Sequence, residues 1–135
     1  MSLKSTLCVL VEARRLISVP GSWTKGAVAR DKEGEALGLA GSRRACRWCA
    51  VGAVYRAHVQ ISDGTVFDDV NALRALSEVI APQGNPNESA WLNTISSVND
   101  AELTRHKDVL DIFDAAISAV RKRMQQNRVE QAAVA

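Results

Sequence analysis

Cys46-Arg47-Trp48-Cys49 is a C-x-x-C segment, the spacing that puts two thiols on one zinc ion or into one redox pair. Zinc is held by about four ligands. The two histidines, His58 and His106, stand far apart and no second C-x-x-C exists, so neither a metal nor a cofactor is expected. A thioredoxin-type pair opens a helix inside a βαβ unit, and no such alternation is visible. The remaining reading makes Cys49 a small buried residue, as free thiols commonly are.

Cys49, His106 and Asp100 also supply the residue types of a nucleophile, a base and an orienting carboxylate. His106 falls in the first turn of the last helix, where a solvent-facing ring is the simpler expectation. Asn99-Asp100 ends a long connection, and both side chains can bond nearby backbone amides or shape an anion site at the helix beyond. Trp23, Trp48 and Trp91 lie on separate segments and are read as anchors of loops to a core. The ligand-binding candidates are therefore Trp23, Arg47, Cys49, Asn99, Asp100 and His106.

Lys25, Arg30, Arg43, Arg44 and Arg47 gather cations around a hairpin and the start of the second helix, where a phosphate-bearing ligand or nucleic acid could be held. Arg121-Lys122-Arg123 is explained by the favourable effect of cations near a helix C-terminus. No glycine-rich phosphate loop is present, which leaves nucleotide hydrolysis and dinucleotide binding without support.

These residues need elements to position them. Leu7, Leu10, Val11, Leu16 and Ile17 recur at helical spacing over residues 5–17, and Val19-Pro20-Gly21 stops that helix. Residues 23–30, a turn at Asp31-Lys32-Glu33-Gly34 and a return over 35–37 predict a hairpin leaning on helices through Trp23, Val28 and Leu37. Gly41-Ser42 is read as the cap of a second helix to about Gln60, with Ala45, Cys49, Ala53 and Ala57 on one small-residue face. After a turn at Ser62-Asp63-Gly64, a third helix spans 68–80 with Val70, Leu73, Leu76 and Ile80 inward. Residues 83–100 read as irregular, with at most a short helical turn around Trp91, Leu92 and Ile95. Thr104 then caps a last helix carrying Val109, Ile112, Phe113, Ala116, Ile117, Val120 and Met124 at three-and-four spacing.

The chain has 135 residues, 47% of them apolar, and a net charge of +2. That is enough for one core without staples, and the mixed charges do not form the one-signed field of a dedicated nucleic-acid binder. Glu12, Arg14 and Arg15 interrupt the apolar N-terminal segment, so no membrane span is expected. Three cysteines without a secretory signal point to a reducing compartment, the cytoplasm.

Gly21-Ser22-Trp23-Thr24-Lys25-Gly26-Ala27 with Ala29-Arg30-Asp31 and Gly34, then Arg47-Trp48-Cys49-Ala50-Val51-Gly52-Ala53, then Asn99-Asp100 followed by Thr104, resemble in order and spacing a family of small bacterial and phage proteins, domain-of-unknown-function family 6197. The likeness runs from about Leu7 to Ala119. Members typically carry tryptophan before the Asn-Asp pair, where this chain has Val98. The resemblance implies a shared helical fold and assigns no catalytic residue.

The resulting expectation is a mainly α protein, a compact bundle of about four helices with a small β-hairpin between the first and second. Residues 1–124 form a single domain and 125–135 a frayed tail. Functionally it reads as a non-enzymatic helical interaction module with a protein partner or a second copy of itself. The alternatives are a small-ligand-binding protein or enzyme with a cleft near Cys49, Asp100 and His106 and, more weakly, nucleic-acid binding through Arg43, Arg44 and Arg47.

Overall fold

Thr6, Val9, Leu10, Ala13 and Ile17 share one face at helical spacing, and all five are buried. The first four form the inward stripe of α1 (Leu3–Leu16), which Ile17 continues just past its end, while Val11, off that face, stays 43% exposed. The computed structural model describes residues 3–61 and 68–134. The turn expected at Ser62-Asp63-Gly64 lies outside them.

After a 3-10 turn at Pro20–Ser22 come three short strands, β1 (Ala29–Arg30), β2 (Ala36–Leu37) and β3 (Arg47–Trp48). β1 is central and antiparallel to both neighbours, with Ala29 opposite Leu37 and Trp48. Gly34, at φ +87, closes the β1–β2 turn in a conformation that favours glycine. Asp31 organises that turn. Its carboxylate accepts the amide N–H groups of Glu33 and Glu35 at 3.0 and 2.9 Å and the Arg44 guanidinium at 2.8 Å. Burial alone pushes the Asp31 carboxyl upward, but these donors outweigh it and hold the carboxyl below the ordinary aspartate range.

The third strand corrects the reading of the second helix. Ser42 does accept the Arg44 N–H, at 3.2 Å, but this closes a single turn, and the chain then pairs with β1. Trp48 is buried there, its indole N–H donating to the Ala40 carbonyl at 3.0 Å. Helix α2 starts only at Ala50 and runs to Ile61. Ala45, Cys49, Ala53 and Ala57 are nonetheless all buried.

Helix α3 (Asp68–Ile80) occupies the expected span. The count of about four helices is corrected to five among the described residues, because residues taken as irregular form α4 (Glu88–Asp100). Asn87 caps it by accepting the Ala90 N–H at 3.0 Å. Helix α5 (His106–Val134) continues ten residues beyond Met124, where a frayed end is expected, and every side chain of 125–134 is exposed.

Helix α1 packs against α2, α3 and α5, and α3 against α4 and α5. Phe113, Leu10, Ile17, Leu73 and Leu76 are the largest of the fully buried side chains in the common interior. No helix among the described residues is long and apolar enough to cross a membrane.

Candidate functional site

Asn99, in the last turn of α4, is 1% exposed. A buried amide must find partners for two acceptor positions and two N–H donors, and Asn99 finds all four. Its oxygen accepts the Trp23 indole N–H at 2.8 Å and the Ala50 backbone N–H at 3.0 Å. Its NH2 donates to the Thr24 carbonyl at 3.1 Å and to an Asp100 carboxylate oxygen at 2.9 Å. Two obligate donors on one side and two acceptors on the other fix which way the amide points.

The neighbouring groups continue this seam. The same Asp100 oxygen accepts the Gly26 N–H at 2.9 Å, and Lys25 Nζ donates to the Ala101 carbonyl at 2.6 Å. Lys25 Nζ also lies 5.6 Å from the Trp23 ring centre. The Thr24 N–H donates to the Trp48 carbonyl at 3.1 Å, so residues 23–26 run between β3 and the end of α4. A single side chain thus joins the Trp23 segment, the end of α4 and the start of α2, where the Ala50 N–H would otherwise be one of the orphan donors of a helix N-terminus.

Cys49 stands at that same N-terminus. Its carbonyl accepts the Ala53 N–H at 2.8 Å and its sulfur accepts the Gly52 N–H at 3.3 Å. Burial raises the thiol's pKa, with the nearby Asp100 charge adding to the rise, and the amide bonds of Gly52 and Val51 oppose it without cancelling it. The thiol is therefore kept neutral. Cys46 is exposed. With the strand β3 between them, the two cysteines are separated by three residues of extended chain, about 10 Å, beyond the ~7 Å that a disulfide tolerates between Cα atoms. The C-x-x-C spacing is that of a strand and does not make a redox pair.

His106 opens α5, but its ring faces inward. Nε2 sits 2.6 Å from the carbonyl oxygen of Ile17, just past the end of α1, and since a carbonyl only accepts, Nε2 carries the proton. The ring packs on Trp23 with centres 5.7 Å apart. The expectation of a solvent-facing histidine is corrected, because the end of α1 leaves carbonyls unpaired and one of them takes this donor.

Trp23, Cys49, Asn99, Asp100 and His106 thus gather at one junction. Arg47 does not join them: it pairs with Arg30 across the sheet, and its strand neighbour Trp48 turns into the core, so Arg47 faces the other way. The hydrogen bonds of Cys49, Asp100 and His106 run to Gly52, to Gly26 and Asn99, and to Ile17, rather than to one another. A buried void beside Asn99, lined also by Ala50, Ile95 and Phe113, measures about 10 Å³, the lower limit for one water.

Sequence reasoning gave Thr24, Gly26 and Ile17 no part in the site, yet their backbone groups complete the seam; backbone partners leave no residue-type signal. It read Lys25 only as one of a cluster of cations, whereas Lys25 contributes its side-chain Nζ. It also passed over Gly52. A Cβ built there would lie 1.9 Å from the Val28 carbonyl oxygen, which itself accepts the Cys49 N–H at 3.3 Å, so α2 approaches β1 at a distance only glycine permits.

The cations around the hairpin are interleaved with acceptors. Arg30 donates to the Thr24 hydroxyl and to the carbonyls of Gly34 and Lys25, and Arg44 is bound to Asp31. Arg43 borders an open groove of about 700 Å³ shared with Lys32, Glu33, Glu35 and Cys46. Among the described residues no group of three or more His, Cys, Asp or Glu side chains is placed to hold a metal.

A family model matches residues 1–119, and it spans the Trp23 segment, the start of α2, Asn99-Asp100 and His106. The chain belongs to the family of unknown function DUF6197. The DUF6197 match ends inside α5, before its exposed last ten residues. No curated protein and no solved structure matches the chain.

Proposed function

We propose that this DUF6197 protein is a small non-enzymatic helical module that works by binding a macromolecular partner or a second copy of itself. The observation that carries the reading is the saturation of Asn99 and its neighbours. The polar groups best placed for chemistry already have partners inside the chain, and the seam they form holds α4, α2 and the hairpin region together. Binding then falls to exterior surface, to which the end of α5 contributes a helical stretch, 125–134, whose side chains are all exposed. The three free thiols, Cys8, Cys46 and Cys49, support a cytoplasmic setting.

A second reading keeps a small-ligand cleft at Cys49, Asp100 and His106. Its support is that the fold gathers those residues from distant parts of the sequence. Thermal melting of the full chain against nucleotides, small carboxylates and divalent metals separates the two, since a ligand that binds only the folded state raises the melting temperature. No shift is expected. A ligand-induced rise that disappears in Asp100→Asn would overturn the first reading in favour of the second. Sedimentation over a range of concentrations tests the self-association part, and a monomer at every concentration would remove it.

A further inference from the structure

Arg121, Lys122 and Arg123 look in the sequence like cations at a helix end, where they favour the macrodipole. That effect fades within the last turn. The helix here continues to Val134, and no basic residue occupies its last turn. The three cations therefore lie in mid-helix, exposed, and the dipole does not account for them.

Their surroundings are distinctive. Between residues 121 and 134 the chain carries Arg121, Lys122, Arg123 and Arg128 against one carboxylate, Glu130, so this stretch alone is more positive than the whole chain at +2. The averaged charge that speaks against a nucleic-acid partner conceals a local excess on one projecting element. None of the four cations has an ion-pair partner among the described residues. The amides Gln125, Gln126 and Asn127 stand between them and Gln131 follows, and the face that carries the core upstream, through Val120 and Met124, continues as Asn127 and Gln131.

Protein interfaces favour aromatic side chains, methionine and arginine, arranged around an apolar centre, and are poor in lysine; the arginines here fit either kind of partner, but an apolar centre is lacking. This stretch offers only Val129 and Val134 as sizeable exposed apolar side chains. Arginine, lysine, glutamine and asparagine are the residues that contact nucleic-acid phosphates, and the amides and arginine also read base edges. A helix about 10–12 Å across fits a major groove about 12 Å wide. Residues 125–134, beyond the packed bundle, extend about 15 Å, while at 121–124 only the outward face is open, because Val120 is buried and Met124 packs on the core.

We propose that residues 121–134 of α5 dock in the major groove of duplex DNA, with Arg121, Lys122, Arg123 and Arg128 on backbone phosphates and the outward amides Gln125 and Gln126 toward the bases. This rests on the reading of the chain as a binding module and names its partner. The occupied groups of the Asn99 seam take no part.

The experiment is fluorescence anisotropy of labelled duplex DNA with the full chain, beside the fourfold variant Arg121→Gln, Lys122→Gln, Arg123→Gln, Arg128→Gln. Four phosphate contacts predict a logarithmic salt slope near −3.6, so binding weakens about 100-fold between roughly 50 and 200 mM salt. The fourfold variant is expected to lose binding with an unchanged melting temperature, and Arg43→Gln with Arg47→Gln to keep it. Absence of binding at low salt, or equal binding by the fourfold variant, overturns the proposal. Equal affinity for single-stranded RNA or for polyglutamate also overturns it, the latter in favour of an acidic protein partner. These failures leave the module reading standing, since that reading falls only if a small ligand or a reaction is found at the Asn99 junction.

Discussion

Asn99 replaced by alanine leaves the Trp23 indole N–H, the Ala50 N–H and the Thr24 carbonyl without their partner. Each buried unpaired group costs about 1–3 kcal/mol, and water reaching part of the new space offsets some of that. We expect Asn99→Ala to destabilise by about 3 kcal/mol in urea unfolding, and Asn99→Asp to fail to rescue, because a carboxylate cannot donate to Thr24 or Asp100. A loss under 1 kcal/mol would mean that the seam is not what joins these segments. The thiols give a second test. Cys8 and Cys46, both exposed, are expected to react with a maleimide in the native protein, whereas buried Cys49 reacts only on unfolding. Rapid labelling of all three, followed by mass spectrometry, would contradict the burial. At this scale the sequence supplied the participants and not their roles. Trp23, Cys49, Asn99, Asp100 and His106 are recognisable by type, but their partners are mostly backbone groups, which every residue carries alike.

Elements were legible where apolar spacing was regular and illegible where a polar contact decided the outcome. Helices α1, α3 and the packed part of α5 follow from their stripes. Helix α4 does not, although Asn87 and the spacing of Trp91, Ile95 and Val98 signal it in hindsight, because Ser, Thr and Asn dilute the pattern. The third strand was hidden by a run of small residues that reads equally well as a helix face. The contact that fixes its position is the approach of α2 to β1, and Gly52→Ala tests it: the new Cβ meets a backbone carbonyl that cannot rotate away, so a loss of about 3 kcal/mol or more is expected. Gly38→Ala, where a Cβ meets nothing, is the control and should change stability by less than about 0.5 kcal/mol. The β1–β2 turn has a pH signature. The Asp31 carboxyl lies below its unfolded value, so its contribution is complete above the unfolded pKa and is lost as pH falls through the folded one. Stability measured down through the acid range should therefore fall less steeply in Asp31→Asn than in the parent. An equal acid slope would show that Asp31 does not set it.

At the scale of the whole molecule, the end of the core and the end of the last helix are different places. The apolar stripe of α5 stops at Met124, and the face it occupied continues as Asn127 and Gln131, so the packed molecule stops there too. The helix persists because turns already formed upstream supply the nucleus that an isolated segment lacks, and Gln, Glu, Arg and Ala keep helical geometry at little cost. Stability and shape are thereby uncoupled along one element. Removing residues 125–135 deletes only exposed side chains among the described residues, so a chain ending at Met124 should unfold at a denaturant midpoint close to that of the full protein, with the same m-value, because m follows the surface exposed on unfolding. Its far-ultraviolet circular dichroism should lose intensity for ten helical residues. A large fall in the midpoint would mean that the extension folds back onto the bundle. An unchanged midpoint with no loss of helical signal would mean that the extension is not helical in solution, and the groove-docking inference, which needs a preformed rod, would then have to become one of folding on binding.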